Sequence, residues 1–559
     1  MNVLKKMVVV LVTLVVGSGV FAKDRYVVIY KSSQGYSAMN TFMKLESSQT
    51  WGLKKSLQHI NGMIFESSDA ASMERLKSHP EVALVEKEKI YALPKPVRGA
   101  KIKLNKILAK SAAVSGDPAV FTLGEKTPWG IEAVKAPAAW KLANDSGSKA
   151  RIMILDTGVD MNHPAIASNF EKGQNFSGLL GTNSDVTDEI GHGTHVSGTA
   201  LGLYNEVTGF TGVAPQAKLL MGKVCDTIGC SSAAIAEGIN WGIQEKVDVI
   251  SMSLGGQSAS EAEKLAITAA ENAGVFVVAA SGNEAVTEPD GTITTPGVSF
   301  PAALPTVFAV GAVDIKLIKS KFSNWGPELS VVAPGSEVLS SIPVGSGREA
   351  SVEIVINGQK THVKSSAFNG SGDIAVPVTG LFVNAGLGKA GDFTAVVVGK
   401  IALISRGEIP FSEKIKNAIA AKAIGVIVYN NDAGLISGTL VAQGEPDINF
   451  PVIMIEQAEG LKIIENLNLK IDVATEMMTL KTDYTAWDGT SMATPHVAGV
   501  AALVISAYKT SHAGKSLTPA ALGALLKASA VPLVPNDHNE YGSGFIQADA
   551  AVTAALAAP

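Results

Sequence analysis

The chain has only two cysteines, Cys225 and Cys230, in the run CDTIGC. Two thiols with no histidine nearby cannot fill a tetrahedral zinc shell, which excludes that use. Two alternatives remain: a local disulfide across the short loop, favoured in an exported chain, or two buried free thiols, since a bridge needs Cα atoms within about 7 Å. Charge is also sparse, at 17% of residues with a net −5, too mild to indicate nucleic acid as a partner. No fixed-period repeat is present, so a solenoid is excluded. The N-terminal apolar run, Met7 to Val16, falls far short of the roughly 20 residues that cross a bilayer. With Lys5 and Lys6 before it, small residues from Gly17 to Ala22 behind it, and Val20 and Ala22 placed for cleavage, residues 1–22 predict a removable export signal and no stable membrane anchor. The expected location is outside the cell or in a periplasm.

What is present suits a large globular protein. Hydrophobic residues make up 46% of 559, more than one core serves, and several compact units are expected. Residues 23–93 read as a small α+β unit: strand-like Tyr26 to Tyr30, helical Ala71 to Ser78, then strand-like Ala83 to Val85 and Ile90 to Ala92. Residues 94–118 are rich in Lys, Ser, Ala and Gly and predict an exposed linker open to proteolysis. Residues 23–111 carry 16 Lys plus Arg against 8 Asp plus Glu, the leader adds two lysines, and the remainder therefore holds −15 within the total of −5. Opposite charge favours docking of the front segment on the rest.

The body, 119–344 and 482–559, alternates short apolar runs (RIMILD, VDVISMSL, VFVVAAS, TVFAVGAV) with helical stretches, the pattern of an α/β fold with a doubly wound, mostly parallel sheet covered on both faces. Between them, residues 345–481 read as a separate inserted module. There VEIVING, FTAVVVGKIALIS, AIGVIVYNND and FPVIMIE are strand-like around one helix, Ser412 to Ala423.

Four runs carry the chemistry. In ILDTGVDMNHP, Asp156 ends an apolar strand at the carboxyl edge of the sheet, where open α/β sheets place their sites. In GHGTHVSGTALG, Gly191 and Gly193 flank His192 and allow close approach to a base at a helix start. His195 lies three residues on, but the spacing lacks the glutamate pattern of zinc peptidases. In DGTSMATPHVAGVAALV, Ser491 precedes a long small-residue helix, with Pro495 in its first turn and the positive end of the dipole toward the hydroxyl. In VFVVAASGNE, Asn283 follows a buried strand and could donate to an oxyanion. Each run alone is equally a turn or a helix cap.

Together, DTG, HGTH, SGN and GTSMATPHVAG in this order resemble the signatures of subtilases, the subtilisin-like serine peptidases. The resemblance implies a secreted endopeptidase made as a self-processed precursor, with Asp156, His192 and Ser491 as triad and Asn283 as oxyanion donor. MSLGG, with Ser253, Leu254 and Gly255, and ASG, with Ala280, Ser281 and Gly282, resemble the two edges of the family's specificity pocket, whose glycines would leave space for a sizeable apolar side chain. Residues 24–92 resemble the inhibitor-like propeptide, and the insert resembles a protease-associated (PA) domain, acting either as gate or substrate binder or as an inert spacer. The implied partners are protein or peptide substrates and the chain's own propeptide as intramolecular inhibitor, with a monomer as the expected state. No cofactor is needed for the chemistry. Structural calcium is common in the family, yet Ala165 stands where many relatives carry a carboxylate and the loop 203–212 is altered, so no metal ligand is assigned. A non-catalytic secreted binding protein that recognises partners through the insert is the competing expectation. An esterase is disfavoured because Ser491 lacks the G-x-S-x-G setting.

Overall fold

The computed structural model describes residues 24–45, 52–67, 70–93, 97–98, 120–177, 184–288, 290–432, 434–436, 438–441, 446–535 and 537–558. The expected export signal and most of the linker, with its maturation bond, lie outside the described residues. The chain divides into two compact units, one drawn from residues up to 341 together with 487–558, the other centred on 342–486.

The first unit begins with a four-stranded antiparallel sheet of β1 (Asp24–Tyr30), β2 (Gly52–Leu57), β3 (Gly62–Ser67) and β4 (Val82–Lys87), ordered β2-β3-β1-β4, with helices α1 (Ser33–Leu45) and α2 (Ala70–Lys77). Strand alternation gives this sheet two apolar faces. Tyr26, Val28, Tyr30, Met63 and Phe65 pack with Met73 and Leu76 of α2 in a local core. Val27, Ile29, Leu57 and Ile64 instead join the large core of the rest of the unit. The segment is therefore seated on the body through one apolar face of its sheet. A short strand, β5 (Ile90–Tyr91), then leaves the sheet.

The body is a seven-stranded sheet built from β6 (Arg151–Asp156), β7 (Phe170–Asn175), β8 (Lys218–Lys223), β10 (Val249–Met252), β11 (Phe276–Ala280), β12 (Phe308–Val313) and β13 (Leu329–Pro334). Its order is β13-β12-β11-β10-β6-β8-β7 and every pairing is parallel. All residues of β10 to β13 are buried, so neither face meets water, which is why these strands read as unbroken apolar runs. The helices around it include α3 (His192–Leu201), α4 (Ser232–Glu245), α5 (Glu261–Asn272) and α6 (Thr490–Ser511). Helix α6 is long and apolar enough to span a bilayer, but its whole apolar window is buried inside the protein. It is the central core helix.

Strand β5 pairs antiparallel with β9 (Cys230–Ser231), Tyr91 opposite Cys230 and Ile90 opposite Ser231. Cys225 and Cys230 are joined by a disulfide that closes the loop leading into β9. Further contacts bind the N-terminal segment to α4 and α5. Glu86 accepts from the backbone N–H of Glu261 and Ala262 at the start of α5, and Lys55 pairs with Glu237 of α4 at 3.6 Å. The carboxylate meets the positive end of the α5 dipole, a favourable arrangement.

The second unit holds an eight-stranded mixed sheet in the order Gln359–Val363, Gly347–Ile356, Val473–Thr482, Ile374–Asn384, Ile401–Ser405, Gly425–Tyr429, Val452–Ile455, Ser365–Ala367. Its alternating side chains build two cores. Ala402, Ile404, Val426 and Val428 pack with Ile415 of helix Phe411–Ala420. Ile401, Leu403, Ile427 and Ile453 pack with Ile463 of helix Gln457–Asn468. The expectation of a single helix here needs correction: a sheet whose strands are apolar on both faces requires a cover on each. The FTAVVVG run is also not strand. Ala395–Val397 is a 3-10 turn with Val396 and Val398 exposed, and the strand starts at Ile401.

Candidate active site

The site lies at the carboxyl ends of β6 and β10. Ile154 is level with Ser251, the last pair of this parallel register, and each segment runs two residues further, to Asp156 and to Ser253 just past its strand. Both residues thus leave the same carboxyl edge of the sheet.

Asp156 is fully buried, and its Oδ1 accepts from Thr157 N–H at 2.7 Å and from His192 Nδ1 at 2.8 Å. His192, also fully buried, opens α3 after Gly191, whose φ of 92° suits glycine. The closeness of α3 to the β6 turn depends on Gly193, where an added Cβ would lie 2.1 Å from Gly158 O and 3.2 Å from Asp156 Cβ. Sequence reasoning missed Asp188, which ties these parts together. Its carboxylate accepts from Thr157 Oγ1, from the N–H groups of Ile190, Gly191 and Thr194, and from Thr194 Oγ1. Burial pushes the Asp188 carboxyl up, against the pull of those bonds. The only sequence signal was an acidic residue four before His192.

Ser491 is in the first turn of α6, which starts at Thr490, so the serine lies inside the helix it was expected to precede. Pro495 is accordingly inside the helix and not in its first turn. It has no N–H to give the carbonyl four residues back, which is that of Ser491. The carbonyl accepts instead from Ser253 Oγ at 2.8 Å, while Ser491 Oγ donates to Ser253 O at 3.1 Å. His192 Nε2 is buried and makes no hydrogen bond among the described residues. The contact from carboxylate to imidazole is thus formed, while the Ser491 hydroxyl bonds to Ser253 and not to the imidazole.

Asn283 Oδ1 accepts from both Thr490 N–H, at 2.8 Å, and Thr490 Oγ1, at 2.9 Å. These two donors fix the amide and leave Nδ2 to face outward. A Cβ built on Gly489 would stand 3.6 Å from Asn283 Nδ2 and 3.6 Å from Ser491 N, so the two donors border one small space beside the hydroxyl. Gly489 keeps that space open, with φ 156° and ψ 153°, a conformation essentially restricted to glycine.

The residues expected to line the specificity pocket are deeply placed. Ser253, Leu254, Ala280 and Ser281 are buried. Along their Cβ directions Gly255 and Gly282 are closely approached by other parts of the chain. A Cβ on Gly255 would meet Phe300 O at 2.6 Å, and one on Gly282 would meet Asn324 Nδ2 at 2.3 Å and Ser299 Oγ at 2.4 Å.

His195 is buried and stacked on Trp487, with ring centroids 4.6 Å apart. The calcium position common in subtilases does not fit these residues. Ala165 brings a buried methyl where a carboxylate is needed, and Asn205 Oδ1 in the adjacent loop accepts from Val207 and Thr208 N–H. Among the described residues, no group of three or more His, Cys, Asp or Glu could hold a metal.

The subtilase family model matches residues 147–371, and a PA-domain model matches 370–463. The chain is 41% identical over 219 residues to the major intracellular serine protease of Bacillus subtilis (strain 168), covering 39% of this chain and 67% of that one. To subtilisin E of the same organism it is 32% identical over 326 residues, 58% of this chain and 74% of the relative. To the subtilisin of Bacillus pumilus it is 38% identical over 222 residues, 40% and 77% respectively. With a parallel α/β body and this extent of likeness, the chain belongs to the subtilase family and is a subtilisin-like serine endopeptidase that carries a PA domain.

Proposed function

We propose that Asp156, His192 and Ser491 are the catalytic triad of a secreted endopeptidase that matures by cutting its own precursor. The observation that carries the reading is the 2.8 Å contact of His192 Nδ1 with the buried Asp156 carboxylate, which leaves Nε2 free to act as base. Ser491 Oγ turns from Ser253 toward Nε2, gives up its proton there and attacks the peptide carbonyl. The C–O bond forms as the carbonyl π bond becomes an oxyanion, held by Asn283 Nδ2 and Ser491 N–H. The imidazolium then protonates the leaving amine as the C–N bond breaks, and water repeats the sequence to release the acyl group. Asp156 orients the ring and stabilises its cation throughout.

The N-terminal segment serves as intramolecular inhibitor. Support comes from β5, which occupies the edge of β9 as an added strand, the mode by which extended peptides are held. The leader-like composition of residues 1–22 supports export. The insert is assigned a role in access or in protein-substrate binding because it interrupts the chain shortly before Ser491. Deleting 345–481 with a short linker, and finding cleavage of folded proteins and short peptides equally unchanged, would remove that role.

The triad is tested by labelling the matured protein with an organophosphonate. Ser491 should be modified in wild type and unmodified after His192→Ala, and a Ser491→Ala precursor should stay full length. Labelling that persists without His192, or maturation without Ser491, overturns the reading.

A further inference from the structure

The residue through which the N-terminal segment meets the β9 edge is chemically specific. Tyr91 is 7% exposed, and its hydroxyl donates to Glu263 Oε2 at 2.6 Å. Its ring lies against the backbone of Gly256, where an added Cβ would be 2.8 Å from Tyr91 Cδ1. Glu263 is fully buried in the first turn of α5. Its Oε2 also receives Ser260 N–H at 3.4 Å, while Oε1 is buried with no hydrogen-bond partner among the described residues. Glu263 also closes a capping box with Ser260, whose Oγ accepts from Glu263 N–H at 3.0 Å. Burying a carboxylate is costly unless donors reach it, and the short bond from Tyr91 to Oε2 offsets part of that cost here.

We propose that Glu263 is a specificity-determining residue that selects substrates presenting a tyrosine in the slot held here by Tyr91. The proposal rests on the peptidase reading above and adds the chemistry of one subsite to it. Gly256 is three residues beyond Ser253, whose carbonyl touches Ser491 Oγ. An extended chain advances about 3.3 Å per residue, so one running from Tyr91 toward the nucleophile reaches it about three residues later. The selected side chain is therefore the fourth on the amino side of the bond cut. A phenol fills the flat space over Gly256 and delivers its O–H to the carboxylate. A phenylalanine fills the same space but removes the short phenol bond and leaves Glu263 Oε2 only the 3.4 Å contact from Ser260 N–H, a loss by which a polar site discriminates. The carboxyl of Glu263 is pushed up to about 7 by burial, against the pull of the Tyr91 bond. Protonated or ionised, it keeps an acceptor oxygen for the phenol.

The test uses matured protein purified after expression of the full chain, and pairs of fluorogenic peptides differing only in tyrosine or phenylalanine at the fourth residue before the cut. Wild type should favour tyrosine by about tenfold or more in kcat/KM. Glu263→Leu should bring the ratio near one, and Glu263→Gln, which retains an acceptor oxygen, should keep most of it. A wild-type ratio below about two, or a ratio unchanged in Glu263→Leu, overturns the proposal, and the wild-type ratio decides alone if that variant does not mature. Cleavage of neither peptide nor casein by wild type would instead defeat the peptidase reading itself.

Discussion

Ser253 and Ser491 are joined by two hydrogen bonds of opposite sense: Ser253 Oγ donates to the Ser491 carbonyl at 2.8 Å, and Ser491 Oγ donates to the Ser253 carbonyl at 3.1 Å. The first exists because Pro495 cannot supply the N–H that an α-helix would send to Ser491. Ser253→Ala should leave a buried carbonyl unsatisfied and lower stability by about 1–3 kcal/mol. Pro495→Ala restores the helix donor, so the double variant should lose less than the sum of the two single changes. Urea unfolding of the four proteins in a Ser491→Ala precursor background reads this cycle. Strict additivity would show that the two serines are not coupled through that carbonyl.

Asn283 is held by Thr490, and the two should differ in degree. Asn283→Leu removes an oxyanion donor, a change that in subtilisin itself costs about 100–1000-fold in kcat. Thr490→Ala keeps the backbone donor to Asn283 Oδ1 and loses only the hydroxyl donor, so a loss nearer tenfold is expected, from one weakened positioning bond. Steady-state kinetics on one peptide should show both effects in kcat, with KM little changed.

Docking of the N-terminal segment should respond to pH through Glu237. Burial pushes its carboxyl up to about 7 from 4.5, against the pull of Lys55 and Arg25. A raised acid makes its contribution in full below about 4.5 and loses it as pH rises through about 7. A Ser491→Ala precursor should therefore lose stability between pH 5 and 8 relative to the same protein carrying Glu237→Gln, by on the order of 2 kcal/mol. Parallel pH profiles for the two proteins would refute this assignment.

The disulfide closes a loop of sequence separation five directly before β9. Replacing both Cys225 and Cys230 by alanine should cost about 2 kcal/mol by the loop-entropy relation. It should also loosen the edge that receives β5. Urea midpoints, and protection of the Tyr91 amide from hydrogen exchange, would report the two effects separately.

Much of the fold was legible because its signals are local. RIMILD, VDVISMSL, VFVVAAS and TVFAVGAV are strands since a parallel strand covered on both faces must be apolar throughout. The helix at 457–468 was not legible, because its need arises from the apolar outer face of strands far away in the chain. The surroundings of the pocket glycines were not legible for a related reason. A glycine reports only a missing side chain, and whether substrate or Phe300 and Asn324 take the space depends on how separate segments pack.

Residue types and their order in the chain determined the candidate chemistry: an aspartate closing an apolar strand, a histidine between glycines, a serine at a helix start and an asparagine after a strand. Tertiary structure alone decided which of these touch. It joined Asp156 to His192, turned the Ser491 hydroxyl onto Ser253, set Thr490 behind Asn283 and buried Glu263 under Tyr91. The physical reason is that hydrogen bonds act over about 3 Å, and separations of dozens to hundreds of residues are brought within that reach only by the packing of the whole core.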